Sequence, residues 1–240
     1  MPPREDAPHE DLARFLRQVY ATIPITSRGK PAPPPLPPAE TAASDGLVAV
    51  GGRLTPELIL EAYAKGIFPM ADEDGTLAWW SPNPRGIIEL DPFHVPSRLR
   101  RTMKRFEVRV DSDWKGVIEG CARPEGTWIS DEIEREYRRL FERGQCHTVE
   151  AWYQGKLAGG LYGVRIGAAF MAESKFHHVR DASKVALVAL VERLRQRGFE
   201  LLDVQYVTPH LGRMGASWIS RRAYLERLAR AVTKKGVTWK

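Results

Sequence analysis

Residues 149–205 read VEAWYQGKLAGGLYGVRIGAAFMAESKFHHVRDASKVALVALVERLRQRGFELLDVQ, and their punctuation decides the fold. Three runs with strand character, 149–153, 157–164 and 168–172, are separated only by Gln154-Gly155 and by Gly167. Such short connections make an antiparallel meander. Asp181 then stands where a helix cap is expected, an apolar helix runs to Gln196, and Gly198 supplies its stop. Residues 199–204 follow and read as a buried strand. Upstream, 87–90 and 108–110 read as strands, 97–105 as a basic helical turn, and 114–121 and 131–142 as helices; downstream, 221–231 is helical. The expected fold is α/β of the α+β kind, with a mostly antiparallel sheet and no internal repeat.

The bulk properties agree with a folded enzyme-sized chain. At 240 residues, 43% hydrophobic and 28% charged, it can bury a sizeable core and is not a disordered polymer. The two cysteines, Cys121 and Cys146, are too few for a disulfide scaffold or a four-thiolate zinc site. No apolar run approaches the ~20 residues of a membrane span, and the start, MPPREDAPHEDL, lacks a signal peptide's apolar stretch. A cytoplasmic location is expected. The 36 basic and 30 acidic side chains give a net +6, which permits a polyanionic partner without requiring one.

Three regions are expected. Residues 1–39 form an arm: 10 of the 18 prolines fall here, KPAPPPLPP at 30–38 is a semi-rigid polyproline linker, and Leu12, Phe15, Leu16, Val19 and Tyr20 recur at helical spacing. Residues 40–85 form a small subdomain around a helix that starts at the Thr55-Pro56 cap and ends before Gly66, with 46–52 and 66–69 as connections. It closes in WWSPNPR, residues 79–85, whose two prolines argue against regular structure. Residues 86–240 form the α/β domain.

Four groups of side chains could carry chemistry. Asp203 and Gln205 project to one face of an apolar strand, where burial costs a few kcal/mol unless partners or a ligand satisfy them; a structural carboxylate is the plain alternative. Glu173-Ser174-Lys175-Phe176 lies at a strand end before a helix start, where backbone N–H groups favour anions and Lys175 and Lys184 add positive charge. Trp79, Trp80 and Trp128 lie in Pro- or Gly-flanked segments, as platforms for bases or as packing at a junction. Arg98, Arg100, Arg101, Lys104 and Arg105, with no acid among them, are candidate phosphate contacts or a solvated face. His177-His178 has no ligand spacing for a metal, and Gly159–Gly163 lacks the dinucleotide fingerprint.

Taken together, several ordered strings resemble the leucyl/phenylalanyl-tRNA–protein transferases: GLVAVGGRLTPELILEAYAKGIFP, WWSPNPRGIIEL, SRLRRTMKRF, EGTWIS, HTVEAW, GGLYGV, AESKF, DASKVALVALVERL and GFELLDVQYVTPHLGRMGA. The resemblance covers residues 46–228. It implies a C-terminal acyltransferase domain of the GNAT superfamily, and transfer of Leu or Phe from aminoacyl-tRNA to proteins beginning with Arg or Lys. The product is a destabilising N-terminus for proteolysis. It further implies that Asp203, Gln205 and Glu173 stand at the reaction centre and that Trp128 serves the adenosine and aminoacyl site, with Trp79, Trp80, Ser174, Phe176 and Met70 as further substrate contacts. No cofactor or metal is called for, and a monomer is expected. Departures from the family's usual residues at Met70, Ala172, Lys175 and His177-His178 leave Met as a further candidate aminoacyl group.

The chemistry fits these residues. An aminoacyl ester is already activated, so the site must hold a neutral α-amine, of ordinary pKa about 7.7–8.0, in line with the ester carbonyl. Gln205 and Asp203 can orient that amine, a carboxylate or the terminal ribose hydroxyls can relay its proton, and Glu173 and Asp203 offer a basic side chain an acidic place. Two other readings stay open: a CoA-dependent N-acetyltransferase, which would want a glycine-rich turn where His177–Asp181 has none, and a non-enzymatic RNA-binding protein. If the residue 98–105 cations contact phosphates, binding of charged tRNA weakens with salt. Arg101→Ala then makes the slope of log affinity against log salt shallower by up to ~0.9, and an unchanged slope would remove these cations from the interface.

Overall fold

The computed structural model describes residues 36–71, 76–122 and 128–240. Most of the proline-rich linker and the helix expected through Leu12–Tyr20 lie outside them. A small antiparallel sheet comes first, built from β1 (Leu47–Val50), β2 (Phe68–Ala71) and β3 (Leu77–Trp80) in the order β1-β3-β2, with helix α1 (Pro56–Ala64) between its first two strands. Thr55 caps α1 by accepting a hydrogen bond from the Leu58 N–H, and Pro56 opens its first turn. The stretches 46–52 and 66–69 expected as connections therefore contain β1 and the first half of β2. Trp79 and Trp80 are strand residues on the central β3, because the prolines that argue against regular structure begin only at Pro82.

The rest of the chain builds a seven-stranded sheet from β4 (Arg85–Ile88), β5 (Glu107–Val110), β6 (Cys146–Tyr153), β7 (Lys156–Ile166), β8 (Ala169–His177), β9 (Leu201–Gln205) and β10 (Ala216–Ile219). Its order is β10-β4-β9-β8-β7-β6-β5. The helices are α2 (Ser97–Met103), α3 (Trp114–Cys121), α4 (Asp131–Glu142), α5 (Ala182–Gln196), α6 (Pro209–Gly212) and α7 (Arg221–Thr233). The meander β6-β7-β8 is present with longer strands than expected, and β8 to β9 is the parallel step, crossed by α5. This is the mixed, mostly antiparallel architecture read from the sequence. No helix of the described residues is long and apolar enough to cross a membrane.

Strand alternation sorts the side chains into two cores. Leu161, Phe170 and Leu202 pack with the apolar side of α5, including Val185, Leu187, Val188 and Leu194; each such burial contributes ~1.5–3 kcal/mol. Their neighbours Tyr162, Met171 and Leu201 face the other way, against α3, α4, α7 and the small sheet. The two sheets therefore share one continuous core on that side. Asp181 at the start of α5 differs from the cap expected of it. Its backbone is left-handed, with φ 70°, and its side chain makes no capping hydrogen bond but takes Lys184 Nζ at 2.5 Å.

What matters for function is where β8 and β9 part. They pair at Ala169↔Leu201, Phe170↔Leu202 and Met171↔Asp203 and no further, although β8 runs on to His177. Both strands also bulge there. Glu173 has no partner on β7, because the register passes from Gly163↔Ala172 to Tyr162↔Ser174. Val204 has none on β4, because it passes from Ile87↔Asp203 to Gly86↔Gln205. A bulge re-aims side chains and ends pairing, so the sheet opens at residues 173 and 204. Gly86 permits the bend: a Cβ there would lie 2.9 Å from the Tyr206 carbonyl carbon.

Candidate active site

The gap between the parted strands is a cavity of about 410 Å³, floored by Glu173, Ser174 and Lys175 on β8 and by Val204, Gln205 and Tyr206 at the end of β9. Phe68, Pro69 and Met70 of β2 wall one side, Trp128 stands at the rim, and His177, Ser183, Thr208, His210 and Leu211 complete the lining. A smaller recess of about 60 Å³ continues from it between Leu161, Ala172, Leu187, Val204 and Leu211. Of the sequence candidates, Gln205, Glu173, Ser174, Met70 and Trp128 meet at this cavity.

Others do not reach it. Trp79 and Trp80 are buried in the core of the small sheet, and the Trp79 indole N–H donates to the Gly51 carbonyl at 3.1 Å. Their platform role is corrected to packing, as β3 is the central strand of its sheet. Phe176 is also buried, its ring lying where a side chain on Gly120 of α3 would otherwise be, so it packs β8 on α3 and lines neither this cavity nor its recess. The cations of α2 and its end, Arg98, Arg100, Arg101, Lys104 and Arg105, are all exposed. Arg100 donates to the Val95 carbonyl and Arg105 to the Tyr153 hydroxyl.

Asp203 does not line the cavity. Its carboxylate is fully buried and receives Arg85 twice, Nε at 2.9 Å to Oδ1 and Nη2 at 2.6 Å to Oδ2, a bidentate pair. The Tyr224 hydroxyl donates to Oδ2 at 2.8 Å and the Gln205 backbone N–H to Oδ1 at 2.9 Å. With its acceptor sites so occupied, it neither touches the incoming amine nor offers a basic side chain an acidic place. The expectation of direct contact is corrected: Asp203 fixes Gln205, whose backbone is left-handed with φ 55° and needs such a hold. Arg85 was invisible as a site residue because its partner lies 118 positions away. The only signal was an arginine opening the otherwise apolar strand β4.

Arg85 joins the two parts of the molecule. Its Nη1 donates to the Gly66 carbonyl, and its guanidinium lies 4.8 Å from the centre of the Phe68 ring and 4.5 Å from that of Tyr224. Burial works against the Arg85 charge, but the Asp203 carboxylate outweighs it and holds the guanidinium protonated.

Glu173 is the one carboxyl among the residues that line the cavity. Gln205 Nε2 donates to its Oε1 at 3.2 Å, and behind it the hydroxyls of Tyr63 and Tyr137 lie 2.6 Å apart. Burial pushes its pKa from 4.5 up to about 8; the Asp203 charge adds to this, while a hydrogen bond with Tyr63 and the Arg85 charge oppose it. His210 shifts the other way, down to about 4, first by burial and then by Lys175, Lys184, Arg213 and His177 around it. The cavity thus has one carboxyl poised near neutrality and one cationic side. An apolar recess thus lies beside an amide and a carboxyl that can exchange a proton near neutral pH, at the split of a sheet.

The model of the family described as leucyl/phenylalanyl-tRNA protein transferase matches residues 87–229, and that of its N-terminal domain matches residues 52–83. A leucyl/phenylalanyl-tRNA–protein transferase of Salinibacter ruber is 49% identical over 189 residues, 78% of this chain and 84% of that one. One of Nitrobacter winogradskyi is 53% identical over 193 residues, covering 77% and 82%. Among solved structures, L-PGS from Bacillus licheniformis aligns with TM-score 0.40 at 8% identity over 64% of this chain and 66% of that one. A ribosomal-protein-alanine N-acetyltransferase from Brucella melitensis aligns with TM-score 0.33 at 14% identity over 45% and 85%. The chain belongs to the leucyl/phenylalanyl-tRNA–protein transferase family and is an aminoacyltransferase.

The Glu173 shift has a thermodynamic consequence. With a pKa of 4.5 unfolded and about 8 folded, the carboxyl binds its proton more tightly in the fold. Its contribution to stability is therefore full below pH 4.5 and is lost as pH rises through 8. Glu173→Gln should raise the melting temperature at pH 8.5 relative to the parent protein, with the difference shrinking toward pH 5. Parallel melting curves across that range would show that Glu173 titrates as an ordinary exposed carboxyl.

Proposed function

We propose that this protein transfers Leu or Phe, with Met as a further candidate, from aminoacyl-tRNA to the N-terminal Arg or Lys of acceptor proteins. The peptide bond so formed marks the acceptor for N-terminal-residue-dependent degradation. The reaction belongs in the cytoplasm, where charged tRNA is available, and a single copy of the chain suffices. The observation that carries the reading is the meeting of Gln205 and Glu173 beside an apolar recess where β8 and β9 part, in a chain of this family.

In this reading the aminoacyl side chain occupies the recess between Leu161, Ala172, Leu187, Val204 and Leu211, with Ser174 and Met70 beside it, and Trp128 packs on the terminal nucleoside. The acceptor's neutral α-amine attacks the ester carbonyl. A carbon–nitrogen bond forms, the bond from that carbonyl carbon to the ribose oxygen breaks, and the proton lost by the amine ends on the ribose oxygen. Gln205 spends its Nε2–H on Glu173, which leaves its amide oxygen to accept an N–H of the amine and hold it in line. Glu173, with a pKa of about 8, is matched to an amine of pKa about 7.7–8.0 and can exchange a proton with it near neutral pH. When ionised it also attracts a cationic N-terminal side chain. Asp203 is a positioning residue, acting through the Gln205 backbone. The α2 cations support the tRNA body.

The test is incubation with radiolabelled Leu-, Phe- and Met-tRNA and peptides beginning with Arg, Lys, Asp or Glu. Label should pass to the Arg and Lys peptides and not to the acidic ones. Losing one neutral hydrogen bond, worth ~0.5–1.5 kcal/mol, slows a reaction roughly two- to tenfold. Gln205→Ala should lower kcat by that amount with charged-tRNA affinity unchanged, and Glu173→Gln should raise KM for the Arg or Lys peptide more than it alters tRNA affinity. Gln205→Ala transferring at the parental rate would remove the assigned centre.

A further inference from the structure

Beside the cavity lies a second hollow of about 210 Å³ that the transfer chemistry does not use. Four cations converge on it from three parts of the chain: Arg98 on α2, Arg180 and Lys184 around the start of α5, and Arg213 after α6. The one carboxylate there, Asp181, is already engaged by Lys184 Nζ at 2.5 Å and approached by Arg180 Nε at 4.0 Å. Neither Arg98 nor Arg213 has a carboxylate at ion-pair distance among the described residues. Scattered surface cations would spread apart in water, whereas these crowd around a concavity with an excess of positive charge. His210 forms the wall shared with the main cavity, and its Nε2 is buried without a hydrogen-bond partner. Burial and the surrounding cations keep its ring neutral at pH 7, so it can accompany an anion without adding to the charge. A buried polar atom left without a partner carries a desolvation penalty, which a ligand oxygen or hydroxyl would relieve.

We infer that this hollow binds the phosphate attached to the 5′ oxygen of the terminal nucleoside whose aminoacyl end occupies the main cavity. The inference rests on the proposed reading of that cavity as an aminoacyl-nucleoside site, and extends it to a separate anchor. Guanidinium forks match phosphate oxygens in geometry, and Arg98, Arg180 and Arg213 supply three of them. His210 stands where the sugar passes from one hollow to the other. A phosphate held there fixes the nucleoside along its length, so that the ester carbonyl reaches Gln205 from a set direction. Arg98 also links the hollow to the exposed cations of α2, giving the backbone a continuous basic path.

The experiment uses two stable probes, 3′-deoxy-3′-(leucylamino)adenosine and its 5′-phosphate, titrated into the full-length protein by calorimetry at low salt, with inorganic phosphate as a third titrant. The phosphorylated probe should bind roughly tenfold or more tightly than the nucleoside, as expected for a charge-assisted phosphate contact. An Arg180→Ala/Arg213→Ala variant, which alters only exposed side chains, should lose most of that increment and bind the unphosphorylated probe as the parent does. Equal binding of the two probes to the parent, or an increment that survives in the variant, overturns the phosphate anchor alone. Inorganic phosphate binding tightly while the probes show no increment marks a site for free anions, and also overturns it. If the unphosphorylated probe does not bind the parent, the reading of the main cavity fails, and the anchor falls with it.

Discussion

The buried ion pair between Arg85 and Asp203 is the contact on which the rest of the structure depends. Taking two charges out of water costs several kcal/mol per ion, and only good geometry with every remaining acceptor satisfied repays it. Here the pair is bidentate, Tyr224 and the Gln205 N–H take the remaining acceptor positions, and Phe68 and Tyr224 lie close to the guanidinium. Through the Gly66 carbonyl the same arginine reaches the small sheet. One residue thus ties the N-terminal strands, the last helix and the inner strand β9 together. Its placement also dictates that of Gln205, two residues beyond Asp203 on β9.

Around this anchor the sheet is opened by two bulges. Glu173 and Val204 each lack a partner on the neighbouring strand, and the parallel pairing of β8 and β9 stops at Met171 and Asp203. The site is therefore a defect in a ladder, held open by packing on both faces. Burial raises the Glu173 pKa, and burial together with the cations on the opposite rim lowers that of His210. The two shifts leave a carboxyl that titrates near neutrality on one side of the cavity and a neutral imidazole on the other.

Much of this was legible in the sequence where the signal is local. The meander, the long helix after Asp181 and the helices at 114–121 and 131–142 follow from turn residues and periodicity, and they are present. Gln205 and Glu173 were found because each is a polar residue on or at the end of an apolar strand. What depends on long-range pairing was not legible. Asp203 has the same local signature as Gln205, and nothing near it in the chain reveals that Arg85 occupies it. The Trp79-Trp80 pair was placed outside regular structure because the prolines after it were taken to govern the whole segment, whereas they end β3 only after Trp80. The hollow near His210 draws on residues 98, 180, 184 and 213, a spacing no motif describes. Glu173 carries no sequence mark of its bulge, which arises from the register between β7 and β8.

The central claim is that Arg85 and Asp203 act as one unit in holding this architecture. The most direct measurement is a double-mutant cycle of unfolding free energies in urea for Arg85→Met, Asp203→Leu and the double variant. Each single variant leaves a buried charge unpaired and should lose about 3–5 kcal/mol, while the double variant should lose much less than the sum. Losses that simply add would mean that the two side chains are stabilised independently, and would contradict the account.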